Sequence, residues 1–189
     1  MTVIRQSLLL LTLMSVLAGV LYPLAMTGIA RIVMPDQAGG SLILRSGKVT
    51  GSEWIGQSFE DPGHFWGRPS ATGPSPYQAE ASSGSNLSPF GDAFREQAVA
   101  RLEVLREGDS ANGKPVPVDL ITASGSGLDP HISPAAAYYQ AERVARARNL
   151  NEADVEALIA AHVEGRTVGI LGQPRVNVLL LNLSLEDLQ

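Results

Sequence analysis

The chain has 189 residues, no cysteine and a formal net charge of −5; 44% of its residues are hydrophobic and 17% are charged. That length suits one domain plus a membrane segment rather than two full domains, and the low charged fraction is itself a membrane signal. Lack of cysteine excludes disulfides, thiolate catalysis and cysteine-ligated zinc, while the part after Arg31, with 12 basic against 19 acidic residues and so −7, argues against nucleic acid as a partner.

From Gln6 to Ala30 no side chain is charged. About 25 helical residues rise roughly 37 Å, enough to cross a hydrocarbon core of about 30 Å with some tilt. A buried soluble helix would seldom stay charge-free for so long. A cleavable signal peptide would have a shorter apolar core with its small-x-small site close behind. The pattern therefore predicts a tail over residues 1–6, a retained transmembrane helix over 7–31, a hinge over 32–40 and a soluble domain over 41–189. Within the span, Tyr22 precedes Pro23. Proline removes a backbone donor and kinks a helix, and lipid cannot satisfy the freed carbonyl. With Thr12, Ser15 and Gly19 offering small or polar surface, this hints at neighbouring helices. Charge does not set the orientation, because Arg5 lies on one side, Arg31, Arg45 and Lys48 lie on the other, and long domains translocate largely regardless of charge.

Beyond the hinge, residues 41–44 read as a strand, and Ser46-Gly47 turns the chain into Lys48-Val49. Residues 54–59 alternate bulky side chains. Residues 61–89 are rich in Gly, Pro, Ser and Ala, long for a structureless loop in a compact domain. Their Phe65, Trp66 and Tyr77 favour an ordered functional surface over disorder. Ser88-Pro89 predicts a helix start, with Phe94, Ala98, Leu102 and Leu105 on one face and Gly108 at the end. Val116 to Thr122 reads as a strand. Ser133-Pro134 opens a second helix to about Arg148, whose Arg143, Arg146 and Arg148 complement the helix dipole. Asn151 caps a third, with Asp154 at the capping-box position, running to Val163 before Gly165. Arg175 to Leu185 is apolar on both faces, as a central strand would be. The fold class read from this pattern is α+β: one N-terminal transmembrane helix plus a single soluble domain with one main sheet and about three helices.

The densest pattern runs from Thr122 to Pro134, TASGSGLDPHISP, between an expected strand and a helix start. Its glycines allow tight turns and its amides could cradle an anion. Ser126, Asp129 and His131 raise the alternative of a membrane-anchored extracytoplasmic hydrolase. A triad, however, needs a base oriented by a third group in space, which three residues of one short turn rarely supply, and no G-x-S-x-G elbow is present. Asn112-Gly113-Lys114-Pro115 is not a P-loop, and His64, His131 and His162 lack metal-ligand spacing. No catalytic, cofactor-binding or metal residue is assigned from the sequence. A free-standing extracytoplasmic binding module is a third, weaker reading.

Over nearly its full length the chain resembles the C subunit (KdpC) of the Kdp-type potassium-transporting P-type ATPase. The resemblance is carried by Tyr22-Pro23, by Gly56-Gln57-Ser58-Phe59, by Phe65-Trp66-Gly67-Arg68-Pro69-Ser70-Ala71 and by Ser83-Gly84-Ser85-Asn86-Leu87. It continues in Val118-Asp119-Leu120, in the 122–134 block above all, in Arg143-Val144-Ala145 and in residues 174–179. Ser83 stands where the family more often has glycine. The resemblance implies a non-catalytic subunit of a high-affinity potassium uptake complex, needed for assembly and described as a catalytic chaperone that raises the pump subunit's ATP affinity. Its implied partners are a potassium-channel-like subunit, a P-type ATPase subunit and membrane lipid, with ATP and potassium handled by those subunits. It implies a bacterial inner membrane protein, single-pass, with the C-terminal domain periplasmic or extracellular. An external domain cannot touch cytoplasmic ATP, so the missing P-loop favours an indirect effect on nucleotide. Tyr22, Pro23, Phe65, Trp66, Arg68, Ser70, Asn86, Ser124, Ser126, Asp129, His131, Arg175 and Asn177 are the candidate partner-contact or motif residues.

Overall fold

A computed structural model of the chain describes residues 2–188; Met1 and Gln189, the outer ends of the expected tail and domain, lie outside the described residues. The chain divides into two compact units, residues 1–50 and 51–189.

The first unit is dominated by one helical run, Thr2–Val33, long and apolar enough to cross a membrane, and none of its apolar stretch is buried. It comprises α1 (Thr2–Val16), a π-helical turn (Leu17–Leu21) and α2 (Tyr22–Val33). The π turn sits immediately before Pro23. The Tyr22 N–H bonds to the Leu17 carbonyl, five residues back. Pro23 has no N–H, and its ring would clash with the carbonyl four residues before it, so the ladder widens by one residue at this point. Thr12 donates its hydroxyl to the Leu8 carbonyl at 2.8 Å, hiding a polar group on an apolar surface. The expected hinge contains one helical turn, α3 (Pro35–Ala38). The hairpin of β1 (Leu42–Arg45) and β2 (Lys48–Ser52) follows as expected, turning at Ser46 and Gly47, both at positive φ.

The second unit is α+β. Its longer helices are α4 (Asp92–Gly108), α5 (Pro134–Arg148), α6 (Glu152–His162) and α7 (Val178–Glu186). Its sheet is small and antiparallel, with β5 (Arg175–Asn177) between β3 (His131–Ile132) and β4 (Val163–Glu164). Val176 lies opposite both Ile132 and Val163. The core packs Phe65, Leu120, Ile132, Val144, Val155, Ile159, Val176, Leu181 and Leu185. Helix starts follow the sequence signals where a side chain can cap. Ser133 accepts from the Ala136 N–H ahead of Pro134, and Asn151 accepts from the Ala153 N–H. Asn149 closes α5 in the left-handed conformation, a frequent helix end.

Three local expectations are corrected. Residues 116–122 form a 3-10 turn (Val118–Leu120), not a strand. Pro115 and Pro117 would remove two ladder donors, and the Thr122 hydroxyl folds back to the Val118 carbonyl at 2.8 Å. Of residues 175–185, only Arg175–Asn177 is strand and the rest is α7. Asn177 ends the strand by accepting the Leu180 N–H at 3.1 Å, and the leucine-rich continuation is a good helix former. α4 begins at Asp92 behind an extended Gly91, while Ser88 only anchors a turn, its carbonyl taking the Gly91 N–H. The inward face of α4 is as expected, with Leu105 buried and Phe94, Ala98 and Leu102 half-buried.

Candidate functional site

Residues 61–89 contain little regular structure, and backbone polar groups placed in a core without a ladder need other partners. Two buried carboxamides supply them. Asn182 accepts the Phe65 N–H at 2.8 Å and donates to the Phe65 carbonyl at 3.0 Å. Gln140 does the same for Trp66, at 2.8 and 3.1 Å. Each amide thus stands in for one residue of a neighbouring strand, which lets Phe65 and Trp66 enter the core at 0% and 5% exposure.

Arginines hold the flanking carbonyls. Arg143 donates to the carbonyls of Pro62 and His64 and to Gln140 Oε1, and its guanidinium lies 4.1 Å from the Trp66 ring centre. Burial pulls the Arg143 group down to about 10, against partial compensation from Asp109, Asp61 and Tyr139. Arg148 donates to the Gly63 carbonyl at 2.6 Å. Arg101 reaches the carbonyls of Leu120 and Gly67.

The same loop is knotted to the 122–134 block. Arg68 donates to Asp129 Oδ2 at 3.3 Å and to the Ala123 carbonyl at 3.2 Å, while its Nε is buried without a hydrogen-bond partner. Asp129 Oδ1 accepts the His131 N–H at 3.0 Å and lies 3.3 Å from His131 Nδ1. Burial alone would raise the Asp129 carboxyl. The hydrogen bonds from His131, with the charges of His131 and Arg68, outweigh that and hold it below its ordinary value. Ser70 donates to the Gly127 carbonyl at 2.7 Å and accepts the Tyr77 N–H at 2.9 Å. The Tyr77 hydroxyl donates to the Arg68 carbonyl at 2.6 Å, and burial pushes that phenol up to about 12. The Ser126 carbonyl accepts from the Ser83 N–H and the Ser82 hydroxyl. Gly127, at φ +68, lies so close to Ser83 that a Cβ would stand 2.7 Å from the Ser83 carbonyl oxygen.

The candidate residues therefore fall into groups. Phe65, Trp66, Arg68, Ser70, Ser124, Ser126, Asp129 and His131 meet in one knot or its adjoining core, with Ser124 buried and Ser126 exposed. Asn177 is buried and donates to the Glu53 carbonyl at 2.8 Å, while Arg175 pairs with Glu164 at 2.8 Å. Asn86 is exposed, at φ +50, and donates to the carbonyl of Gly84 two residues back. Tyr22 and Pro23 belong to the first unit. Asp119, Tyr77, Gln140, Arg143 and Asn182 complete the arrangement and were not singled out from the sequence as site residues. Asn182 inside the leucine-rich α7, and Gln140 in line with Ala136, Ala137, Ala141 and Val144 on the core side of α5, were the available signal, since a polar residue on a core face needs a partner.

Several of the amides that the sequence offered to an anion are occupied. Asp119 takes the Ser133 N–H at 2.7 Å and Asp129 takes that of His131. The Ser126 hydroxyl accepts the Leu128 N–H at 3.1 Å, and no hydrogen bond joins Ser126 to His131 among the described residues. No group of three or more His, Asp or Glu is placed to hold a metal among the described residues. Beside the knot opens a cleft of about 650 Å³, walled by Arg68, Asp119, Asp129, His131, Val118, Pro174 and Arg175 among others. The arrangement is a braced surface, with Asp129 paired to Arg68 and Asp119 hydrogen-bonded by Ser133.

A family model described as K+-transporting ATPase, c chain, matches residues 4–187. The Potassium-transporting ATPase KdpC subunit of Sorangium cellulosum (strain So ce56) is 56% identical over 183 residues, covering 97% of this chain and 96% of the relative. That of Polaromonas naphthalenivorans (strain CJ2) is 56% identical over 187 residues, covering 99% and 95%. That of Dechloromonas aromatica (strain RCB) is 53% identical over 186 residues, covering 98% and 97%. Matched by that family model over residues 4–187 and 56% identical to such a relative over 97% of its length, the chain belongs to the KdpC family, the c chain of K+-transporting ATPases.

Proposed function

We propose that this chain is the non-catalytic accessory subunit of an ATP-driven, high-affinity potassium uptake complex, and that it serves assembly and stability of that complex. The carrying observation is that the family's densest motif is consumed internally. Asp129 is matched by Arg68 and His131, and Asp119 holds Ser133, the residue that caps α5. Among the described residues no hydrogen bond joins Ser126 to His131, which supports a docking role over the hydrolase built from Ser126, Asp129 and His131. The exposed helix Thr2–Val33 crosses the bacterial inner membrane once in this reading, with the second unit periplasmic or extracellular. The channel-like and P-type ATPase subunits handle potassium and ATP, and any rise in ATP affinity is transmitted through them.

The test is affinity purification of the tagged full chain from detergent-solubilised membranes, with growth at micromolar potassium. Two much larger multi-span proteins are expected to co-purify, and deletion of this chain is expected to abolish both complex and growth. A stable, fully active pump without it overturns the reading. A His131→Ala chain that supports growth removes the hydrolase.

A further inference from the structure

The segment 165–173, between β4 and β5, builds a hairpin that stands away from the core. Its backbone closes on itself: Thr167 and Leu171 exchange both hydrogen bonds, at 2.9 and 3.0 Å, and the N–H groups of Gly169 and Ile170 bond back to Arg166 and Thr167. The tip presents Val168, Ile170 and Leu171 at 85%, 73% and 61% exposure. A cluster of large aliphatic side chains held in water is unfavourable unless something covers it. Val168 also sits at φ +54, a left-handed conformation that β-branched residues rarely adopt. Fold stability does not explain a strained valine on an exposed tip.

We propose that this hairpin is a docking finger, which seats Val168, Ile170 and Leu171 in an apolar recess of one of the large membrane subunits; the proposal rests on the accessory-subunit reading. Shape and charge favour a protein recess over a lipid surface. A bilayer imposes no fixed geometry, whereas the finger holds one with four backbone hydrogen bonds and a strained residue. Anionic headgroups reward clustered basic charge, at about 1 kcal/mol per cation, but at the base of the finger Arg175 is matched by Glu164 at 2.8 Å, which leaves a single net positive charge, that of Arg166, bonded to Gln173 at 3.1 Å. Pro174 and Arg175 at that base also wall the cleft of about 650 Å³. A partner segment gripping the finger therefore finds a concave surface beside it.

The chain has no cysteine, so Ile170→Cys gives one attachment point for a polarity-sensitive fluorophore on the full-length protein. In vesicles of phosphatidylcholine and phosphatidylglycerol, without partners, the expected emission is that of a probe in water. In the assembled complex the expected emission is blue-shifted. A blue shift in the partner-free vesicles overturns the proposal in favour of lipid insertion. Water-like emission from a chain that co-purifies with its partners overturns the proposal and leaves the accessory reading standing. An unsubstituted chain that fails to co-purify overturns both. Independently, the combined Val168→Ser, Ile170→Ser and Leu171→Ser variant is expected to recover about tenfold less of the large subunits, the scale of losing a small interface hot spot. Phe90→Ser, at a site 98% exposed elsewhere on the domain, is expected to leave recovery unchanged. Unchanged recovery with the triple variant overturns the proposal.

Discussion

Asp129 shows how a single side chain can organise a surface. It accepts from Arg68 and twice faces His131, and its folded-state carboxyl is held below the ordinary range. A depressed carboxyl contributes stability that is present above the unfolded-state value, about 3.9, and is lost as pH falls through the folded value. Asp129→Asn is therefore expected to lower the melting temperature of the detergent-solubilised chain near neutrality. It is also expected to flatten the fall in melting temperature between pH 5 and pH 3; a slope equal to the wild type's would show that the pair contributes nothing. Gly108 makes a steric counterpart. A Cβ there would stand 2.5 Å from Cη2 of Trp66, in the ring that Arg143 covers. Alanine is a better helix former by about 1 kcal/mol, but crowding a packed indole costs about 1–3 kcal/mol. Gly108→Ala is thus expected to be net destabilising in a urea melt, and a net gain would show that Trp66 yields easily.

At the scale of elements, the loop 61–89 is held by helices rather than by strands. Gln140→Leu keeps the size of the side chain but leaves both the Trp66 N–H and the Trp66 carbonyl without that partner. Each unsatisfied buried group costs about 1–3 kcal/mol, so a loss of about 3 kcal/mol is expected, with Trp66 fluorescence shifting red as water enters. Retained stability and emission would mean that the loop finds other partners. The order of this loop was legible in the sequence, because Phe65 and Trp66 are too apolar to sit in a disordered linker. What orders it was not legible, because Gln140 and Asn182 lie 74 and 117 residues from the groups they satisfy. The starts of α5 and α6 were legible because Ser133 and Asn151 cap locally. The start of α7 was hidden, since a Val/Leu run carries no period of its own and Asn177 works both as strand residue and as cap. Pro23 announced a break in the helix ladder, but whether it would appear as a kink or as the π turn Leu17–Leu21 depends on backbone geometry that residue types do not encode.

For the whole molecule, the question is whether the second unit can meet nucleotide. An ATP phosphate is commonly held by free amides at a helix N-terminus behind a glycine-rich turn. The 122–134 block leading into α5 is such a place, and there the Asp119 carboxylate already accepts the Ser133 N–H at 2.7 Å and receives the Ser133 hydroxyl at 3.2 Å. A polyphosphate would have to displace one carboxylate while facing a second, Asp129, which also walls the cleft. The second unit is acidic overall, which opposes the same ligand. The purified full-length chain alone is therefore expected to show no saturable binding of a fluorescent ATP analogue at millimolar concentration, while the assembled complex binds it. Asp119→Asn is expected not to create binding, because the neutral amide's oxygen still accepts the Ser133 N–H. A reporter active only outside the cytoplasm, fused behind the C-terminus, is expected to be active, which would put nucleotide and the second unit on opposite sides of the membrane. Saturable binding by the isolated chain together with an inactive reporter would instead give this chain a direct nucleotide role, and the cleft beside Asp119 would be the first place to look for it.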